Sequence, residues 1–265
     1  MLPDPIALSV VVPAYNEAKS IARTVEAIRS YLHARGESFE VIVSADGDDG
    51  TREIAAGMAK DDPRLTVIGS AERGGKGRGV RQGFARARGR IVGFVDADYK
   101  TEIEEVEKLL PYFDVGYDVV IGSRAVGDAK IVRHQPLYRR LGSKAFSGVM
   151  HALIGLPDVH DTQCGFKFFT AAAARTIFSR QKIDGYMFDV EILSLAAQLG
   201  LRLKEVGVKW QDDGDSRYDP VSGTWRNAKE LLRIRSLHRR RADAGQSHAV
   251  DVANGTLAAV GEEAR

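Results

Sequence analysis

The sequence of 265 residues is poor in features that mark secreted or nucleic-acid-binding proteins. Its single cysteine, Cys164, excludes a disulfide within the chain and any CxxC motif, which fits a reducing compartment. The formal net charge is only +2, so the chain lacks the overall basic character of a nucleic-acid-binding protein. We therefore expect no nucleic-acid partner.

Long apolar runs are also missing. No stretch approaches the roughly 18 consecutive apolar residues of a membrane-spanning helix, and the first residues lack the pattern of a signal peptide. We expect a cytoplasmic protein, peripheral on the inner face of a membrane. Hydrophobic residues make up 44% of the chain, which is enough for a sizeable core.

Apolar, β-branched runs alternate with helical patterns along the first 125 residues. The predicted strands are residues 7–15, 39–45, 64–70, 90–98 and 118–124. The segments with helical spacing are residues 17–32, 51–59, 76–87 and 103–113. This alternation predicts βαβ units and a mostly parallel sheet, and hence an α/β fold.

The second half of the chain has a different character. Residues 161–208 mix short strands with helices, and residues 221–241 have the pattern of a basic amphipathic helix. Residues 242–265 are polar and rich in alanine and glycine, without periodicity, and are predicted to be a disordered tail. We predict one folded region over residues 1–241, with halves at 7–125 and 126–241.

Two carboxylates, Asp96 and Asp98, stand at the end of the fourth predicted strand. Ligands of parallel sheets bind at the carboxyl ends of strands. Two like charges so close together need a compensating cation. Mg²⁺ and Mn²⁺ suit carboxylates, and Mg²⁺ usually shares its other positions with substrate phosphates. The alternative interpretation is a solvated loop in which an aspartate caps the next helix.

A basic glycine-rich turn, RGGKGRG at residues 73–79, opens the third predicted helix. The helix N-terminus, together with Lys76 and Arg78, would offer positive potential to a phosphate. The alternative is a flexible loop. The turn is not a Walker A motif, and no GxGxxG motif follows the first strand, which disfavours a dinucleotide-binding fold.

Other polar positions have structural interpretations beside the functional ones. Asn16 can cap the first helix, and Glu17 can complement its dipole. Cys164 is interpreted as a small apolar filler rather than a nucleophile. Asp189 and Glu191 open a predicted helix, where acidic residues are favoured in any case.

Taken in order, these segments resemble the family 2 glycosyltransferases with the GT-A fold, over residues 8–235. The nucleotide-sugar half of that family is matched by VVVPAYNEA, an acidic turn, GKGRGVRQGFARARG and FVDAD. The later segments DVVIGSRA, RRLGSKAFSGVM, DTQCGFKFFTAAAAR and ELLRIRS are similar to the dolichyl-phosphate glucosyltransferase branch.

The resemblance implies a fold and an activity. The fold is a mixed, mostly parallel sheet flanked by helices, with a C-terminal amphipathic helix. The activity is an inverting, metal-dependent transfer of a hexose, glucose from UDP-glucose, to a polyprenyl or dolichyl phosphate at a membrane surface.

The resemblance also implies roles for individual residues. Asp98 would be the main metal ligand, together with Asp96, and the metal would be Mg²⁺ or Mn²⁺. Arg124 and Arg140 would bind the acceptor phosphate, with Arg139 as a competing candidate. A general base is optional because the acceptor is already anionic, and Asp189 is assigned to that role. Donor binding would fall to Pro13, Ala14, Tyr15, Glu17, Asp46, Lys76 and Asp96.

The chain departs from the family pattern at several points. Its acidic turn reads SADGDDG instead of Asp-Asp-Gly-Ser, so Asp48 competes with Asp46 for the contact with the base. Lys100 stands where related mannosyltransferases often carry glutamine, and its charge disfavours a metal-ligand role. The branch commonly has spanning segments, so membrane contact here would rest on interfacial helices at residues 137–153 and 225–237. The alternative is that both helices pack on the core.

Other functions stay open at this point. The donor half is compatible with GDP-mannose or with a soluble acceptor. A non-catalytic scaffold on a GT-A domain would not need Lys76, Asp96 and Asp98 together. A nucleotidyltransferase would usually carry a glycine-rich turn directly after the first strand, where this chain has PAYNEA. A homo-oligomer is compatible with any of these functions.

Overall fold

The computed structural model describes residues 6–127, 129–131, 159–211 and 220–237. Strands and helices alternate along the first part of the chain. They are β1 (Leu8–Tyr15), α1 (Ile21–Ala34), β2 (Phe39–Asp46), α2 (Thr51–Ala59), β3 (Leu65–Ile68), α3 (Lys76–Phe84), β4 (Ile91–Val95), a 3-10 helix (Ile103–Lys108), α4 (Leu110–Asp114) and β5 (Val119–Ser123).

The later strands and helices alternate less regularly. They are β6 (Lys130–Ile131), β7 (Phe166–Thr170), α5 (Ala171–Phe178), α6 (Phe188–Gln198), β8 (Leu203–Gly207), β9 (Lys209–Trp210) and α7 (Pro220–Leu237). The predicted C-terminal helix is therefore present as α7.

Seven strands form one sheet in the order β3-β2-β1-β4-β7-β5-β8. Neighbouring strands are parallel except β7, which runs antiparallel to both β4 and β5. A separate pair of strands, β6 and β9, is also parallel. The predicted mixed, mostly parallel α/β sheet is confirmed.

Helices cover both faces of this sheet, which explains why its inner strands are apolar throughout. Val10 and Val12 of β1 point into one core cluster together with Ile21 and Val25 of α1. Val11 points to the opposite face, into a second cluster that includes residues of α3, α5 and α6. Burial on both faces is typical of a sheet built from parallel βαβ units.

Two predicted helices differ in their boundaries. The first begins at Ile21 after Ser20, and Asn16 instead adopts a positive φ of 54° in the preceding turn. The interpretation of Asn16 as a helix cap is therefore wrong. Residues 103–113 divide into a 3-10 helix and α4, at a point where Pro111 has no N–H to continue a helical ladder.

Over residues 229–237, helix α7 has one face against the protein and one face in solvent. Leu231 and Ile234 are buried and join the second core cluster. Leu232 and Leu237 are exposed, and Arg233 and Arg235 are exposed beside them. Within the described residues, no helix combines the length and apolar character needed to cross a bilayer.

Three predictions fall on residues outside the described ranges. These are the interfacial helix at 137–153, the acceptor-binding Arg140 with its competitor Arg139, and the tail at 242–265. They stay predictions.

Candidate active site

Most of the predicted site residues lie at one edge of the sheet. The carboxyl ends of β1, β2, β4 and β5 lie at this edge, because these four strands share one direction. The amino end of β7 lies there too, since β7 runs the opposite way. Lys76 reaches the same edge from the first residue of α3.

Asp96 is fixed on two sides directly after β4. Its backbone N–H donates to the Gly165 carbonyl at 3.0 Å, and its Oδ1 lies 2.7 Å from the Lys76 ammonium. Gly165 leaves no space for a larger residue, since a Cβ there would lie 2.0 Å from Asp96 Oδ2. The close approach of the Gly165 backbone therefore depends on glycine.

Asp98 is less well compensated than Asp96. Burial and the negative charge of Asp96 raise the pKa of Asp98 to about 6, although the Lys100 ammonium at 3.5 Å from its Oδ2 opposes the shift. A divalent cation would relieve this repulsion.

The donor set fits Mg²⁺ or Mn²⁺ bound together with a phosphate ligand. In the part of the chain that is described, no group of three or more His, Cys, Asp or Glu side chains could hold a metal alone. Mg²⁺ is commonly held by one or two carboxylates, with phosphate oxygens and water in its remaining positions. Asp96 and Asp98 supply that number of carboxylates.

Lys76 also faces a deeply buried carboxylate. Its ammonium lies 3.9 Å from Asp189 Oδ2, and the Asp189 side chain is only 1% exposed. The other oxygen, Oδ1, accepts a hydrogen bond of 2.5 Å from Lys167, and Lys167 also donates to the Cys164 carbonyl at 2.6 Å. Burial raises the pKa of Asp189 against the opposing effect of the two lysines.

Two backbone amides of the glycine-rich turn are already paired, and contact of the turn with a phosphate stays a prediction. The N–H groups of Gly77 and Arg78 at the start of α3 both donate to the Asp184 carbonyl, at 2.9 and 3.3 Å. Gly75 allows this approach, because a Cβ there would lie 2.3 Å from the Asp184 oxygen. The positive charge that this turn brings to Asp96 is therefore the Lys76 side chain.

Asp46 holds the loop before α3. Its Oδ1 accepts from the Ser70 amide at 3.1 Å, and its Oδ2 accepts from the Gly74 amide at 2.7 Å. The competing candidate Asp48 is exposed to solvent. Contact of either residue with a nucleoside base stays a prediction.

The remaining donor-site candidates lie along the end of β1. Pro13 and Ala14 are buried, whereas Tyr15 is exposed and its ring lies 4.4 Å from the Arg73 guanidinium. The Glu17 carboxylate accepts from Ser20 at 2.8 Å. Tyr15 and Arg73 therefore form a cation–π pair after the end of β1.

Arg124 is held by a carboxylate that the sequence did not single out. Its Nε and Nη2 donate to the two oxygens of Asp161 at 2.7 and 2.8 Å. Burial alone would raise the pKa of Asp161, but Arg124 lowers it to about 2. The Arg124 guanidinium also lies 5.4 Å from the Trp210 ring centroid, and the Lys100 ammonium lies 5.9 Å from it.

Two other candidates, Cys164 and Glu191, have surroundings that fit a structural role. Cys164 is buried, and burial raises the pKa of its thiol to about 12, so it is a poor nucleophile near neutral pH. Glu191 accepts from the Lys182 and Ile183 amides at 2.8 Å each. Both observations agree with the structural interpretation of these residues.

Sequence reasoning missed several residues of the site. It gave no role to Asp161, Lys167, Tyr186 or Trp210, and it treated Arg73 only as part of a turn. The Lys76 ammonium lies 5.6 Å from the Tyr186 ring centroid. The one available signal was the polar content of the segment DTQCGFKFF, where a lysine interrupts an apolar strand.

The chain is similar to known proteins in sequence and in fold. The model of the family described as "Glycosyl transferase family 2" matches residues 9–178. Dolichyl-phosphate beta-glucosyltransferase ALG5A of Trichomonas vaginalis is 34% identical over 251 residues, which cover 89% of this chain and 75% of the relative. The human dolichyl-phosphate beta-glucosyltransferase is 32% identical, with 86% of this chain and 74% of the relative covered.

A solved structure shows the same fold at lower identity. Glucosyl-3-phosphoglycerate synthase from Mycobacterium tuberculosis, in complex with Mn²⁺ and UDP-glucose, superposes with a TM-score of 0.63 at 18% identity. The match covers 88% of this chain and 79% of that chain. The protein described here has the GT-A fold and belongs to glycosyl transferase family 2, and it is a glycosyltransferase.

Proposed function

We propose that this protein transfers glucose from UDP-glucose to a dolichyl or other polyprenyl phosphate, with inversion at the anomeric carbon and with Mg²⁺ or Mn²⁺ bound. The proposal rests mainly on one observation. Lys76, Asp96, Asp98 and Arg124 all lie at the same edge of the sheet. The names of the relatives support the acceptor, and the UDP-glucose complex of the structural neighbour supports the donor.

The donor half of the site handles negative charge. Asp98 and Asp96 would hold the cation, which when bound would act as a Lewis acid toward the leaving nucleoside diphosphate. The Lys76 side chain is only 16% exposed, so its charge acts in a poorly solvated environment. Tyr15 and Arg73 offer a flat surface on which a base can stack.

The acceptor half of the site orients an anion. A phosphate monoester is already charged near neutral pH, so its attacking oxygen needs positioning more than deprotonation. The planar Arg124 guanidinium suits this role, because Asp161 and Trp210 fix its orientation. Lys100 adds a second positive charge over the same tryptophan.

The proposed place of reaction is a membrane surface. The exposed face of α7 combines Leu232 and Leu237 with Arg233 and Arg235. Apolar and basic residues on one helix face favour attachment to anionic lipid. Such attachment would bring the protein to its lipid acceptor.

Calorimetric titration tests the donor site. We expect UDP-glucose to bind in the presence of Mn²⁺ and to lose most of its affinity with a chelator, while GDP-mannose binds at least about tenfold more weakly. Asp98→Asn should abolish the metal-dependent part of the affinity. The exposed Asp61 provides the control, and Asp61→Asn should bind like wild type. Equal binding with and without chelator would contradict the metal assignment.

A further inference from the structure

Lys76 has two carboxylates within reach and is closely paired with only one of them. Its ammonium is 2.7 Å from Asp96 Oδ1 and 3.9 Å from Asp189 Oδ2. Among the described residues, Asp189 Oδ2 has no hydrogen-bond partner, although it is buried. A buried carboxylate oxygen without a partner is costly, so this arrangement calls for an explanation.

Asp189 is a fixed point in the site. Its Oδ1 is bound by Lys167, whose side chain is fully buried and is itself held by the Cys164 carbonyl. Asp189 also lies in the first turn of α6, a helix in which residues 188–196 are all buried. Its free oxygen therefore cannot turn away from Lys76 without breaking the contact to Lys167.

Lys76 is the flexible partner. The rings of Tyr186 and Phe188 lie 5.6 and 5.7 Å from its ammonium and provide a favourable environment for a cation. To form a hydrogen bond with Asp189 Oδ2, now 3.9 Å away, the lysine ammonium needs to come only about 1 Å closer.

We propose that Lys76 moves its ammonium from Asp96 to Asp189 when the nucleotide and its divalent cation bind. This inference rests on the proposed function, in which Asp96 serves the donor and the cation. While Lys76 neutralises Asp96, it competes with the cation for that carboxylate. Asp189 provides the second location for the lysine charge, and it is a positioning residue for Lys76 rather than a general base.

The surroundings of Asp189 favour this role over that of a base. A base must contact the acceptor, whereas Asp189 is 1% exposed and lies beneath Lys76. Both of its oxygens face lysine ammonium groups, Lys167 at one side and Lys76 at the other. Although burial raises the pKa of Asp189, two neighbouring cations suit a carboxylate that balances charge better than one that accepts a proton.

A double-mutant cycle on Mn²⁺ binding tests the inference. The probe is Mn²⁺ with UDP, and free Mn²⁺ is measured by electron paramagnetic resonance. Asp189→Asn should weaken Mn²⁺ binding about tenfold, because Lys76 then stays on Asp96. In a Lys76→Met background the same change should have less than a twofold effect. Glu191→Gln, which alters another buried carboxylate of α6, should leave Mn²⁺ affinity unchanged in both backgrounds.

The outcomes separate this inference from the proposed function. Equal losses in both backgrounds, or no loss in either, would overturn the role of Asp189 while the metal site stands. Absence of Mn²⁺ binding by wild type in the presence of UDP would overturn both. If Asp189→Asn does not fold, Lys76→Met alone decides: tighter binding of Mn²⁺ at saturating UDP supports competition, and unchanged or weaker binding refutes it.

Discussion

At the residue scale, the position of Asp96 depends on a glycine far along the chain. An added Cβ at Gly165 would lie 2.0 Å from Asp96 Oδ2. We expect Gly165→Ala to displace the carboxylate and to weaken Mn²⁺-dependent UDP-glucose binding about tenfold in calorimetry. Gly57→Ala in α2 is the matched control, because nothing lies within 4 Å of its added Cβ. Wild-type donor affinity in Gly165→Ala would show that Asp96 needs no fixed position.

Because of the Arg124–Asp161 pair, we expect the free energy of unfolding to fall at acidic pH. Asp161 has a pKa of about 2 in the folded protein, below its ordinary value of 3.8. A lowered folded-state pKa stabilises the fold above the unfolded pKa, and this contribution is lost as the pH falls through the folded pKa. We expect about 2 kcal/mol of unfolding free energy from this source, present above roughly pH 4 and lost toward roughly pH 2.

Urea unfolding of wild type and Asp161→Asn over this pH range measures the contribution. The difference in unfolding free energy should be constant above roughly pH 5 and should shrink between roughly pH 4 and pH 2. A difference of the same size at pH 3 and pH 7 would show that the contribution of Asp161 to the free energy of unfolding does not depend on its charge.

The sequence alone predicted some residues of the site but not the residues that contact them. Asp96 and Asp98 follow an apolar strand, and that local pattern was enough to place them at a sheet edge. Their partners could not be found in this way. Asp161 and Asp189 reach Arg124 and Lys76 only through the folded sheet. The sequence also could not show that a carbonyl from a distant segment accepts from the Gly77 and Arg78 amides of the glycine-rich turn.

At the element scale, the sequence presented membrane contact and packing on the core as alternatives for helix α7, but one helix has faces for both. Its residues Leu231 and Ile234 pack in the core, while Arg233 and Arg235 are exposed. A helical period of 3.6 residues allows both on one helix. The pattern predicted the amphipathic helix but could not show which residues would find a buried surface.

The exposed arginines of α7 should contribute to membrane binding. Near an anionic surface each basic residue is worth about 1 kcal/mol, so neutralising two should lower vesicle partitioning at least about tenfold. We expect this result for Arg233→Gln combined with Arg235→Gln in sedimentation with anionic vesicles. Arg175→Gln with Arg180→Gln, two exposed arginines at α5, is the charge-matched control. Equal partitioning of both double variants would show that α7 does not bind lipid.

At the scale of the whole molecule, strand β7 joins the two halves of the chain. It lies between β4 and β5 and runs antiparallel to both. This direction brings its preceding residues, with Asp161 and Gly165, to the edge where β4 and β5 end. Local periodicity predicted parallel βαβ units, but it has no information about an antiparallel strand inserted from later in the chain. The contacts of Asp96 with Gly165 and of Arg124 with Asp161 therefore depend on a topology that only the folded molecule shows.

A product assay is the most direct test of glycosyl transfer to a polyprenyl phosphate. The protein is incubated with radiolabelled UDP-glucose, Mn²⁺ and dolichyl phosphate, and the organic phase is extracted and counted. We predict label in the organic phase as a β-linked glucosyl phosphate lipid, and none when a chelator replaces Mn²⁺. Label that stays on UDP-glucose, or that passes only to water-soluble acceptors, would contradict the account.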